Sequence, residues 1–129
     1  MEEKVNKYIN AIIKAKWWEN NIHWIPTDII WWSDFWIKLA KWLDPLVTKK
    51  EICFFDENIK NNTDYHYLDF ENMFEKTELM IFTIQLDNKY FINLSNLNPN
   101  VLIVLDSTFI ETINILKSNW FNNNLLLID

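Results

Sequence analysis

The sequence predicts an α+β or α/β domain in which an N-terminal helical pair packs on a mixed sheet of four to five strands. Three observations favour this architecture. Apolar residues recur at helical spacing in the first third of the chain, short β-rich apolar runs follow, and a strand–helix–strand pattern comes last. With 129 residues, 50% of them hydrophobic, the chain suits a single domain spanning residues 1–129.

Two helices are predicted in the N-terminal third. The first covers residues 4–18, where apolar side chains recur every three or four residues. Its apolar positions are Val5, Tyr8, Ile9, Ile12, Ile13 and Trp17. The second helix covers residues 27–43 and follows Pro26, with Thr27 or Asp28 as its N-cap. Its apolar arc is wider than the ~100° of an ordinary surface helix, so we expect burial on two sides or an exposed aromatic face.

The remaining segments predict a sheet, and a hairpin in it makes the sheet mixed. The β-rich runs are residues 50–55, 79–86, 90–94, 101–105 and 125–128. Residues 79–86 and 90–94 are expected to pair as a hairpin through Asn88, because asparagine tolerates positive φ.

Two further helices are predicted in the second half of the chain. One covers residues 67–76, and the other runs from Ser107 or Thr108 to about Trp120. The last helix lies between two strands, which predicts a C-terminal βαβ unit with parallel strands.

The chain contains no glycine and no arginine, which excludes several classes of site. Walker loops, dinucleotide-binding fingerprints and nucleophile elbows all need glycine where a side chain does not fit. Without arginine there is no guanidinium fork for phosphate or guanine. We therefore expect no cofactor and no enzymatic activity, and expect the side-chain surface to perform the function.

Two groups of residues could carry chemistry, but each has a simpler structural explanation. Cys53 and His66 could form a nucleophile–base pair. However, Cys53 lies in the apolar run 52–55, where a buried cysteine behaves as a small hydrophobic residue. Asp64, His66 and Asp69 have the spacing of a metal site, but zinc sites draw on more His and Cys ligands. We therefore expect neither catalysis nor a metal site.

The segment of residues 56–78 carries most of the net charge of −6, since it holds seven acids and two lysines. This balance argues against nucleic acid as a partner and favours a basic protein. The candidate partner-binding residues in and beside these acids are Asp56, Glu57, Asp64, Tyr65, Tyr67, Asp69, Glu71 and Glu75. The carboxylates would supply charge, and the two tyrosines would supply hydrophobic anchors.

Seven of the eight tryptophans lie between Trp17 and Trp42. They are too many for all to be buried with each N–H paired, so some are expected at an interface. Trp31 and Trp42 are the candidates, and a second copy of this chain is one partner that they would fit. The negative net charge disfavours a membrane surface. A single cysteine, an acidic start and no long apolar run indicate a cytoplasmic protein.

Size, acidity, aromatic richness and the lack of catalytic motifs together resemble one class of proteins. The chain resembles the small acidic immunity proteins that bacteria encode beside polymorphic toxins, including contact-dependent-inhibition toxins. The resemblance implies a toxin-neutralising protein that binds a cognate toxin, a basic nuclease, and blocks its active or substrate-binding surface. Two alternatives remain: a phage-type inhibitor of a host nuclease, and a peripheral membrane or oligomeric interaction module that uses the Trp-rich helix 27–43.

Overall fold

A computed structural model of the chain describes nine segments. They are residues 2–16, 27–30, 38–41, 52–56, 65–68, 77–86, 89, 101–118 and 124–129. Six strands in these segments form one sheet: β1 (Thr27–Ile30), β2 (Ile52–Phe55), β3 (His66–Tyr67), β4 (Leu79–Phe82), β5 (Leu102–Asp106) and β6 (Leu125–Ile128). The helices are α1 (Glu2–Lys16), α2 (the helical residues 38–41) and α3 (Ile110–Ser118).

The strand order is β3-β2-β1-β4-β5-β6, and every described pair of neighbours is parallel. The mixture of helices and strands confirms the general class. The prediction of a mixed sheet with four to five strands is wrong, because the described residues form six parallel strands. All four residues of β4 are buried, which is typical of a parallel strand covered on both faces.

The second predicted helix is wrong at its start. Residues Thr27–Ile30 form β1, which pairs with β2 on one side and with β4 on the other. Ile29 is fully buried at the centre of the sheet, where a β-branched side chain packs well. Helical structure is present further along, at residues 38–41. A short apolar run fits a helix and a buried strand equally, and tertiary pairing decides between them.

The structure also differs from the predicted hairpin of residues 79–94 and from the predicted helix of residues 67–76. Residues 79–82 of the predicted hairpin pair in parallel with β1 and β5, and its predicted second strand, residues 90–94, lies outside the described residues. The helix predicted from residue 67 does not begin there, since Tyr67 ends β3 and the Leu68 N–H donates to the Phe54 carbonyl at 2.9 Å. The rest of that segment, to residue 76, lies outside the described residues.

Helices cover both faces of the sheet, which makes the fold doubly wound. On the first face, Val5, Tyr8, Ile9 and Ile12 of α1 and Leu39 of α2 are buried against inward residues of the sheet. On the second face, Ile113 and Leu116 of α3 pack against the alternate residues of β4 and β5. The predicted first helix, last helix and parallel pair of β5 and β6 are therefore confirmed.

The segment that follows β4 is bound to the first turn of α3. The buried Thr112 hydroxyl donates to the Leu86 carbonyl and accepts from the Leu86 N–H, both at 2.8 Å. The Gln85 side-chain oxygen accepts from the N–H of Glu111 at 2.8 Å, one of the donors that a helix start leaves unpaired. These bonds hold residues 85 and 86, which follow β4, against α3 on the second face of the sheet. In the described part of the chain, no helix is long and apolar enough to cross a membrane.

Candidate functional site at the carboxyl edge of the sheet

The sheet reverses its order between β1 and β4. From β1 the chain proceeds to β2 on one side, whereas from β4 it proceeds to β5 on the other side. Ile30 and Phe82, the last residues of β1 and β4, lie opposite each other in register. In open α/β sheets, a ligand binds in the crevice outside the carboxyl ends of the strands at such a reversal. This edge is therefore the candidate site.

A buried acid stands on the β2 side of the reversal. Asp56 directly follows β2, whose last residue, Phe55, lies opposite Ile30 in register. Asp56 is 1% exposed. On the neighbouring strand β3, Tyr67 lies opposite Phe54 in register, and the centroids of their rings are 5.5 Å apart in an edge-to-face arrangement. A buried carboxylate and an aromatic pair thus belong to the β2 and β3 half of the sheet.

A second buried acid ends β5. Asp106 is 1% exposed, and its Oδ1 accepts hydrogen bonds from the Thr108 N–H at 2.8 Å and from the Thr108 hydroxyl at 2.6 Å. Its Oδ2 forms an ion pair with the Nζ of Lys4 from α1. Both oxygens of this carboxylate therefore have structural partners, one within its own turn and one on the first face of the sheet.

Two more side chains of α1 bind to the same edge. The Tyr8 hydroxyl donates to the Phe82 carbonyl at 3.2 Å, and the Lys7 Nζ donates to the Asp129 carbonyl at 3.0 Å. Burial raises the pKa of Tyr8 well above its ordinary value, so its hydroxyl remains a hydrogen-bond donor beyond the pH at which an exposed tyrosine ionises. The carboxyl ends of β4, β5 and β6 are therefore all bonded to α1.

The structure describes three of the ten residues predicted to bind a partner. Asp56 is buried rather than solvated, and Tyr65 and Tyr67 are half-buried and pack against the core on the first face of the sheet. The seven others lie outside the described residues: Trp31, Trp42, Glu57, Asp64, Asp69, Glu71 and Glu75.

Asp106 and Lys4 are not among the site residues that the sequence predicts. The available signal for Asp106 was an acid directly after a continuous apolar strand, followed two residues later by Thr108.

The structure also aligns Cys53 with His66 in strand register, and Cys53 is half-buried. Among the described residues, no three His, Cys, Asp or Glu residues are grouped as metal ligands.

The fold is shared with several solved oxidoreductases, although no family model and no curated protein sequence matches the chain. The apo D-lactate dehydrogenase from Escherichia coli has a TM-score of 0.67 at 10% identity, over 96% of this chain and 49% of that chain. The NAD-dependent formate dehydrogenase from Staphylococcus aureus, in complex with NAD, has a TM-score of 0.66 at 11% identity, over 96% and 45%. The chain thus spans about half the length of these two proteins.

A third match is the NADPH-dependent glyoxylate/hydroxypyruvate reductase from Sinorhizobium meliloti, with a TM-score of 0.60 at 7% identity, over 97% of this chain and 72% of that chain. These likenesses contradict the interpretation as a non-enzymatic, toxin-neutralising immunity protein with a basic nuclease as its partner, because the three similar structures are two dehydrogenases and a reductase. They also give no support to the alternatives of a phage-type nuclease inhibitor or an interaction module. At such identities, what the chain shares with the dehydrogenases is the fold.

Proposed function

We propose that this chain is a nucleoside-binding domain of the oxidoreductase type, which receives the adenosine part of a ligand at the carboxyl edge of β1, β2 and β4. The strand order supports this proposal, because dinucleotide-binding sheets of this order bind their ligand at the β1–β4 reversal. The similar formate dehydrogenase, which was solved in complex with NAD, supports it as well.

The position of Asp56 carries the proposal. In dinucleotide-binding sheets of this order, an acid beyond the first βα turn accepts hydrogen bonds from the ribose hydroxyls. Asp56 follows the last residue of β2 and lies next to the reversal. A carboxylate has about four acceptor positions, so it can hold two ribose hydroxyls together with a protein donor. Because Asp56 is 1% exposed, the residues that cover it must move before a ribose reaches it.

A complete dinucleotide does not fit the residues of this chain in the usual manner. The usual fingerprint places glycines between β1 and the following helix, so that the backbone can approach the pyrophosphate. Residues 31–37, which follow β1 in the sequence, are Trp-Trp-Ser-Asp-Phe-Trp-Ile. They include no glycine for the positions where the fingerprint needs one, and one of them is an acid. The proposed ligand is therefore defined by its adenosine part, and no hydride-transfer step is assigned to this chain.

Calorimetric titration with adenosine tests the proposal. We expect wild-type protein to bind adenosine and Asp56→Asn to bind it about ten-fold more weakly, because an amide loses the charge-assisted part of each hydrogen bond, about 1.4 kcal/mol. Glu78→Gln is the matched control, since Glu78 is exposed and lies beside the amino end of β4, at the opposite edge. It changes the net charge equally and should leave the affinity unchanged.

A change in the ligand separates binding from folding. With 2′,3′-dideoxyadenosine, which lacks both hydroxyls, wild-type affinity should also fall about ten-fold or more. The same change should cost less in Asp56→Asn, because the two alterations remove one interaction. If wild-type protein bound adenosine and the dideoxy analogue equally, Asp56 would not hold the ribose. If adenosine did not bind at all, the proposed function would be wrong.

A further inference from the structure

The half of the carboxyl edge beyond the reversal is bonded to the protein itself. Lys4, Tyr8 and Lys7, all in the first half of α1, bind at the carboxyl ends of β5, β4 and β6 respectively. A dinucleotide extends across the reversal, with one nucleotide on each half of the edge. A second nucleotide would therefore meet α1 and its three bonds where it needs an open crevice.

The charge at this edge also opposes phosphate. Asp56 and Asp106 are both 1% exposed and lie on the two sides of the reversal. The two lysines that the structure bonds at this edge are already engaged, Lys4 with the Asp106 carboxylate and Lys7 with the Asp129 carbonyl. The chain has no arginine and a net charge of −6. Lys4 offsets the charge of Asp106, so the repulsion of a phosphate would come from the Asp56 carboxylate. It would be stronger than in water, because screening is weaker in a buried site.

From this combination we infer that the site takes a single nucleoside whose 5′ side carries no phosphate, rather than a dinucleotide. The inference rests on the proposed function and narrows it to a neutral or positively charged adenosine derivative. The missing glycines agree with this ligand class, since a nucleoside without pyrophosphate does not need close approach of the backbone between β1 and α2.

A series of ligands that differ only in phosphate tests the inference. Adenosine, 5′-AMP, ADP and NAD are titrated separately into the wild-type protein by calorimetry, at low salt and again at high salt. Adenosine should bind best, with 5′-AMP at least ten-fold weaker and with ADP and NAD weaker still. High salt should narrow the difference between adenosine and 5′-AMP only slightly, because the charge of a buried carboxylate is screened weakly.

The variant Lys4→Ala shows whether Lys4 binds the phosphate of a ligand or only pairs with Asp106. Lys14→Ala is the matched control, since Lys14 is an exposed lysine further along the same helix. If Lys4 only pairs with Asp106, its removal should make 5′-AMP bind more weakly relative to adenosine or leave the ratio unchanged. The same ratio is expected to stay constant in Lys14→Ala.

The outcomes separate the inference from the proposed function. If ADP or NAD binds as tightly as adenosine or more tightly, the inference is wrong while the nucleoside site stands. If 5′-AMP binds the wild-type protein as tightly as adenosine does, the inference is also wrong. Loss of that tight binding in Lys4→Ala but not in Lys14→Ala would then identify Lys4 as the phosphate ligand. If none of the four compounds binds, the proposed function fails and the inference fails with it.

Discussion

Replacing Thr112 with valine tests how the sheet is joined to α3. The Thr112 side chain is fully buried, and its hydroxyl makes two hydrogen bonds of 2.8 Å with the backbone of Leu86, one as donor and one as acceptor. Valine has nearly the same shape and a similar helix propensity. The substitution therefore removes the hydroxyl and its two bonds with little change in packing.

The expected loss of stability in Thr112→Val follows from the backbone groups of Leu86 that lose their hydrogen-bond partner. Thr112→Val leaves both the N–H and the carbonyl of Leu86 without this partner, and Leu86 is 2% exposed. An unsatisfied buried group costs about 1–3 kcal/mol, so the two together should lower the free energy of unfolding by about 2–6 kcal/mol. Thr112→Ser keeps the hydroxyl and loses one buried methyl group, which should cost only about 1 kcal/mol.

Urea unfolding followed by circular dichroism measures these differences. Ser118→Ala is the control, since the exposed Ser118 hydroxyl at the end of α3 donates to the Asn114 and Ile115 carbonyls of its own helix. It should change stability by less than about 0.5 kcal/mol. If Thr112→Val were no less stable than Thr112→Ser, the two hydrogen bonds to Leu86 would not stabilise the contact between α3 and the segment that follows β4.

Two further predictions concern α1 and the core. Burial raises the pKa of Tyr8 above its ordinary 10.0, so its stabilising contribution is intact below pH 10 and is lost as the pH rises above 10. In urea unfolding between about pH 9 and about pH 11, wild-type protein should therefore lose more stability than Tyr8→Phe, and equal losses would contradict the burial of the hydroxyl. Ile81→Ala in β4, where the side chain is fully buried, should cost about 2–5 kcal/mol in the same assay. Leu127→Ala in the edge strand β6, where the side chain is 41% exposed, should cost far less, and similar losses would contradict the central position of β4.

Most elements of this fold can be predicted locally, but their arrangement cannot. The strands at residues 52–55 and 102–106 and the helix at residues 110–118 follow from apolar runs and a capping pattern, which act over a few residues. The pairing of β1 with β4 joins residues about fifty positions apart. Nothing in the local pattern of residues 79–82 separates a hairpin strand from a parallel strand. Assigning residues 79–82 to a hairpin is the error that led to the prediction of a mixed sheet.

The candidate site shows the same limit. The sequence marks Asp56 only as one of several acids in the segment of residues 56–78, whereas its place beside the reversal depends on the strand order. Without glycine the chain cannot contain the dinucleotide fingerprint. The lack of glycine does not exclude the fold that usually carries the fingerprint, because a fold and a binding motif are separate properties of a chain. The immunity-protein interpretation treated the two as one.

Amide chemical-shift mapping with adenosine tests the central claim most directly, because it reports where on the sheet a ligand binds. The carboxyl-edge amides of Asp56 and Thr83 should shift in a saturable manner, whereas the amino-edge amides of Glu78 and Leu102 should not. Asp56→Asn should require a higher adenosine concentration for the same shifts. Shifts confined to the amino edge, or no saturable shift of the Asp56 and Thr83 amides, would contradict a nucleoside site at the reversal of strand order.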